Sequence, residues 1–214
     1  MYCTHHPNPT PTGKSSILVS LFRLVELEQG SICIDGVDIR RVPLHRLRSS
    51  IAIIPQDPVL ITGTLRFQLD PCSLHTDTEL FAALELVGLA GYVSACLPLG
   101  LSEVVLEGGE NLSHGQRQLL CISRALLRQT KILVIDEGTS SVDPHSDAIV
   151  QTALRNTVAR TNCTVVAIAH RTATIADYDH ILCLEGGAVA AYGSPKSLLA
   201  DPNSPYSLLV QSSL

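Results

Sequence analysis

Apolar positions recur at helical spacing through Ile17, Leu18, Leu21, Phe22, Leu24 and Val25, which predicts an amphipathic helix over residues 14–26. The stretch SICIDGVDI then predicts two short strands about the turn pair Asp35-Gly36. Ile51 to Ile54 is a short apolar run stopped by Pro55, the pattern of a buried strand. From Gln56 to about Pro71, proline and glycine punctuation predicts a loop. DTELFAALELVGL and the residues up to Cys96 return to helical spacing.

Two later runs, KILVID and CTVVAIAH, are continuously apolar, rich in branched residues, and end on polar groups. Strands covered on both faces by helices have this pattern, as in a parallel sheet. Helical patterns over 113–128 and 144–158 flank them, so strand, helix and strand follow in the order of a right-handed crossover unit. The segment HILCLEGGAVAAYG predicts an antiparallel hairpin about Gly186-Gly187, followed by short helical pieces to Leu214. No linker or internal repeat is visible. The expected architecture is an α/β core with a helical insertion over about 72–128.

Composition narrows the class. At 214 residues, 45% apolar and 16% charged, the chain is globular, with enough length to bury a substantial core. A net charge of −5 and an aromatic content of 4% argue against a nucleic-acid-binding surface. The seven cysteines are scattered without a C-x-x-C pair, and Cys121 and Cys183 lie inside apolar runs, where they read as small buried hydrophobes of a reducing compartment. No apolar run approaches the roughly 18–20 residues that span a bilayer. The polar N-terminus lacks the apolar centre of a signal peptide.

Three groups of residues carry candidate chemistry. Gly13-Lys14-Ser15 opens the first helix, where backbone N–H groups and the helix dipole suit phosphate oxygens. Lys14 would reach the β- and γ-phosphates and the Ser15 hydroxyl would ligate Mg²⁺. On the tripeptide alone, an ordinary helix start with an incidental lysine fits equally well. Asp136 and Glu137 end a buried strand, where open α/β sheets bind ligands; one carboxylate can hold Mg²⁺ and the next can orient a water for in-line attack. Acidic residues also end many strands without a function. In ENLSHGQRQLL, Ser113 and Gln116 form a capping box, a structural role. Gly115 in the first turn has no such explanation, because glycine disfavours a helix interior but admits close approach to the backbone. His170 and Gln56, each near a strand end, are unremarkable on their own.

Their order along the chain says more. Gly13-Lys14-Ser15, Gln56, Leu112-Ser113-His114-Gly115-Gln116, Ile135-Asp136-Glu137, Val142-Asp143 and His170 follow one another as in the nucleotide-binding domain of an ABC transporter. TGTLRFQLDP, EGGENLSHGQRQLLCISRALLR and DEGTSSVD resemble the C-terminal cassette of the multidrug-resistance-protein branch, subfamily C. The resemblance covers residues 13–214 and implies a P-loop ABC-ATPase core: a parallel sheet, a helical signature subdomain over about 72–128 and an antiparallel C-terminal hairpin, with the first strands missing.

The resemblance also implies roles. Gly13, Lys14, Ser15, Ser16 and Asp136 would bind ATP, with Ser15, Gln56 and Asp136 on Mg²⁺. Glu137 would be the base or water-orienting group, His170 the switch histidine on the γ-phosphate, and Gln56 the link to the membrane domain. Ser113, His114, Gly115, Gln116 and Asp143 would complete the site of a partner domain. Asp143-Pro144 is in addition a good helix start by its own chemistry. The implied partners are a second nucleotide-binding domain and the transmembrane domains of an exporter, and no nucleic acid. The module itself would be soluble, on the cytosolic face of a membrane.

Residues 1–12 depart from the family. Pro11 stands where a cradle glycine is usual, and Asn8 and Pro9 alter the approach. Proline has no N–H to give a phosphate. One such charge-assisted bond is worth about 1.5–3 kcal/mol, roughly ten- to over a hundredfold in affinity. The strand feeding the loop and the upstream adenine-stacking aromatic have no counterpart in MYCTHHPNPTPT, so the segment reads as foreign to the family. A degenerate or regulatory nucleotide-binding fragment with little ATPase activity is the alternative.

Overall fold

The computed structural model describes residues 2–3, 13–136, 144–160, 163–168 and 175–212. Three expected site residues, Glu137, Asp143 and His170, fall outside them.

In chain order, strand β1 (Tyr2–Cys3) precedes helix α1 (Lys14–Leu21). The hairpin β2 (Cys33–Ile34) and β3 (Val37–Asp38) turns through Asp35 and Gly36, both left-handed at φ 49° and 77°. Helix α2 (Leu44–Ser49) leads into β4 (Ile51–Ile54), which Pro55 ends. Then come β5 (Gly63–Thr64), α3 (Leu65–Leu69), α4 (Asp77–Leu86), α5 (Ala90–Cys96) and β6 (Val104–Val105). Helix α6 (His114–Arg128), β7 (Ile132–Asp136), α7 (Pro144–Arg160) and β8 (Thr164–Ile168) follow. The chain closes with β9 (Ile181–Glu185), β10 (Ala188–Gly193), α8 (Pro195–Leu199) and α9 (Pro205–Ser212).

Most elements stand where the apolar pattern puts them, with three corrections. Helix α1 ends at Leu21, well short of residue 26. Arg23 turns left-handed at φ 47°, and the bonds Leu24 N–H to Val19 O and Arg23 N–H to Ser20 O close a Schellman motif. The Gln56–Pro71 stretch, expected as loop, contains β5 and α3 because Thr64 caps the latter, its Oγ1 accepting from Phe67 N–H at 3.1 Å. And Tyr2–Cys3 form a short strand ahead of α1, where the sequence shows no feeding strand.

The fold divides into two compact units, Met1–Ile51 with Val166–Leu214, and Ala52–Val165. In the first, β9 lies between antiparallel β10 and parallel β1, and β1 also pairs in parallel with Ile168 of β8. Ile175, Ile181, Cys183, Leu198, Tyr206 and Leu209 form its core. Burial of Cys183 raises its thiol pKa, as expected of a cysteine serving as a small hydrophobe.

In the second unit, β7 neighbours β4, and α7 follows β7 along the chain. Helix α4 opens on a complete capping box between Thr76 and Glu79 and buries Leu80, Ala83 and Leu84 against α6. Helix α6 is buried around much of its circumference, at Gly115, Gln118–Ser123 and Ala125, and packs on both α4 and α7. It is the central helix of this unit, so its placement fixes whatever its N-terminus carries. Among the described residues, no single helix is long and apolar enough to cross a membrane.

Candidate nucleotide-binding site

In the first unit, Gly13 caps α1 at φ 84°. Only glycine takes that conformation at low cost, and as a cap it offers no side chain of its own to the helix start. No acidic residue stands in that turn. Ser15 and Ser16 are exposed, and Lys14 is half-buried. Amides, a lysine and two hydroxyls at a helix N-terminus, with nothing anionic among them, suit a polyphosphate.

The far end of α1 is clamped. Arg48 donates from Nε to Phe22 O and from Nη2 to Arg23 O, both at 3.0 Å. In return Arg23 Nη1 donates to Ile39 O and Val42 O, each at 3.1 Å. A guanidinium on the last carbonyls satisfies the helix end and complements its dipole.

In the second unit, Gln56 is exposed two residues beyond β4, and half-buried Asp136 is the last residue of β7, the neighbouring strand. Among the described residues, no cluster of three or more His, Cys, Asp or Glu side chains could hold a metal by itself. Gln56 and Asp136 are hard oxygen donors, the kind that hold Mg²⁺ together with the phosphates it accompanies.

The expected capping box on α6 is present in both halves. Ser113 Oγ accepts from Gln116 N–H at 3.2 Å and Ser113 N–H donates to Gln116 Oε1 at 2.8 Å. Ser113 remains exposed, Gly115 is buried, and His114 is half-buried with Nδ1 lacking a partner among the described residues. The approach to Ser113 is also fixed. Asn111 receives Leu106 N–H at 3.0 Å and donates to Val104 O at 2.8 Å, while Arg117 Nη1 reaches Gly108 O and Gly109 O at 3.3 and 3.4 Å. Gly109 is suited to its place by its φ of 73°, and an added Cβ would come within 2.6 Å of Leu60 Cδ1, so that side chain would have to shift.

The structure thus brings together Ser113 to Gln116 on one helix start and places Gln56 just beyond β4 and Asp136 at the end of the neighbouring β7. Sequence reasoning missed the arginines that hold these elements. Their partners are backbone carbonyls, which leave no mark on the sequence.

The family model for the ABC transporter matches residues 9–140. The chain belongs to the ABC transporter family. The match takes in Pro9 and Pro11, so the altered loop lies inside it. Among ABC proteins, ATP-binding cassette sub-family C member 2 of Homo sapiens is 51% identical over 197 residues, and that of Rattus norvegicus 50% over 197. Multidrug resistance protein mrp-7 of Caenorhabditis elegans is 48% identical over 201 residues. These alignments cover 92–94% of this chain but 13% of each relative, so the chain spans a small part of their length. A solved bacterial Atm1-family ABC exporter with ATP bound superposes on the whole chain with a TM-score of 0.86, at 32% identity and over 36% of its own length. The subfamily C resemblance read from the motifs is therefore borne out, and so is the ABC-ATPase fold.

Proposed function

We propose that this chain is an ATP-binding and ATP-hydrolysing cassette that powers export of solutes through an ABC transporter. The observation that carries the reading is the start of α1: a left-handed Gly13 cap followed by Lys14, Ser15 and Ser16 in sequence. In this role Gly13 and Lys14 to Ser16 hold the phosphates, and Ser15, Gln56 and Asp136 hold Mg²⁺ with them. The metal supplies charge neutralisation on the transferred phosphoryl group. Glu137 orients and deprotonates the attacking water, and His170 contacts the γ-phosphate.

Ser113, His114, Gly115, Gln116 and Asp143 close over the nucleotide of a second nucleotide-binding domain, and transmembrane domains receive the resulting movement. The glutamate at 137 is the residue found in hydrolytic cassettes of the resembled branch. Pro11 favours a second reading, a regulatory or degenerate cassette that binds ATP weakly, because it removes one N–H from the cradle.

Turnover decides between them. Steady-state ATP hydrolysis by the chain, with Mg²⁺, should be measured beside Glu137→Gln. Hydrolysis that disappears in the variant while nucleotide binding persists supports the proposal. Binding with no turnover in either protein supports the regulatory reading.

A further inference from the structure

The second unit contains an interaction that none of the motifs accounts for. Arg124, on the body of α6, is half-buried and directs its whole guanidinium at the chain that follows Gln56. Its Nε donates to Gln68 O, Nη1 to Val59 O at 3.1 Å, and Nη2 to Gln68 Oε1 at 2.9 Å. Gln68 is itself 2% exposed and passes the connection on: its Nε2 donates to Ile61 O and its Oε1 receives Ile61 N–H at 3.4 Å. Val59 and Ile61 are 68% and 55% exposed, so of the three residues 59–61 only Leu60 is anchored by its own side chain. Leu60 O in turn accepts from Gly108 N–H at 3.2 Å, in the loop that leads to Ser113. The segment after Gln56 is therefore bonded both to the approach to α6 and to its body.

From this geometry we infer that Arg124, acting through Gln68, is a positioning residue: a latch that makes the Gln56 segment and the helix presenting Ser113–Gln116 move as one body. The inference rests on the proposed function, in which Gln56 serves this cassette's own nucleotide and Ser113–Gln116 a partner's. A displacement at one site would then reach the other without passing through the rest of the unit. The residue type suits the task. A planar fork of donors can serve three oxygens at once, whereas a lysine ammonium on the same path is a point charge that cannot reproduce the fork. Burial lowers the Arg124 pKa from its usual value, yet a guanidinium stays charged at neutral pH. With its acceptors removed, the half-buried guanidinium would lose three charge-assisted hydrogen bonds, which favours the closed latch.

Hydrogen exchange on the full chain tests this without nucleotide. Arg124→Lys and Gln68→Ala should each raise amide exchange across residues 59–63 by about tenfold or more, and the double variant should add little. Amides of residues 117–123 should keep their protection. In steady-state hydrolysis the same variants should lower kcat several-fold with little change in KM for ATP. Unchanged exchange at 59–63 in either single variant would overturn the latch. So would an even rise across 52–165, which is the mark of a merely structural arginine. A parent chain that turns over no ATP would count against the proposed function, and the exchange measurement would still decide the latch.

Discussion

The Arg48 guanidinium closes the end of α1 opposite Lys14, holding the Phe22 carbonyl at 3.0 Å. The helix that, in the proposed function, presents the phosphate-binding residues is thus fixed by a residue well separated from it in sequence. Arg48→Met should cost about 0.5–1 kcal/mol of stability, the worth of a solvent-exposed pair of charge-assisted bonds. Urea unfolding of both proteins checks this, and an unchanged midpoint would show that the carbonyls are satisfied equally well by water.

At the start of α6, Ser113 serves both as a cap and, in the proposed function, as a contact to a partner's nucleotide. Ser113→Ala should remove about 1 kcal/mol, while Ser113→Asp should keep most of the stability because aspartate caps equally well. The aspartate should nonetheless abolish ATP-dependent pairing with a second cassette, since it sets a negative charge against phosphate. Chemical unfolding and size-exclusion chromatography with and without ATP separate the two effects.

The thiols should divide by burial. Cys33, Cys72 and Cys96 are exposed, whereas Cys121 and Cys183 are buried and their pKa values are raised by desolvation. Under native conditions a thiol reagent should label the first three readily and the last two only at the rate of unfolding. Mass spectrometry of a labelling time course reads this directly. Fast labelling of Cys121 would show that α6 is not the packed centre of its unit.

Acid should release the Asp38–Arg40 pair in a narrow window. The Arg40 side chain and backbone N–H hold the Asp38 carboxyl down at about 2, from 3.8. A lowered folded-state pKa gives stability that is complete above the unfolded value and is lost as pH falls through the folded one. The difference in stability between the parent and Asp38→Asn should therefore be constant above about pH 5 and shrink below about pH 4. Acid unfolding of the two proteins tests it.

The parts of this fold legible in the sequence are those written in local chemistry. Asp35-Gly36 and Gly186-Gly187 mark their hairpins, Ser113 and Gln116 their capping box, and the branched run before Asp136 its strand. The end of α1 was not legible, because Phe22 to Val25 continue the apolar period past a left-handed Arg23. Nor were the arginine clamps: Arg124 meets acceptors 56 and 65 residues away, and most are carbonyls that any residue type supplies. Identity of the candidate site followed from motif order. The means of holding it did not.

The central claim is that the Lys14 loop binds ATP and that Pro11 weakens it by withdrawing one backbone donor. Equilibrium titration of the chain with Mg-ATP, beside Pro11→Gly and Lys14→Ala, tests this most directly. The account predicts tightening of about tenfold or more on Pro11→Gly and loss of binding on Lys14→Ala. A Pro11→Gly chain that is folded and ignores ATP, or a Lys14→Ala chain that binds as well as the parent, would contradict it.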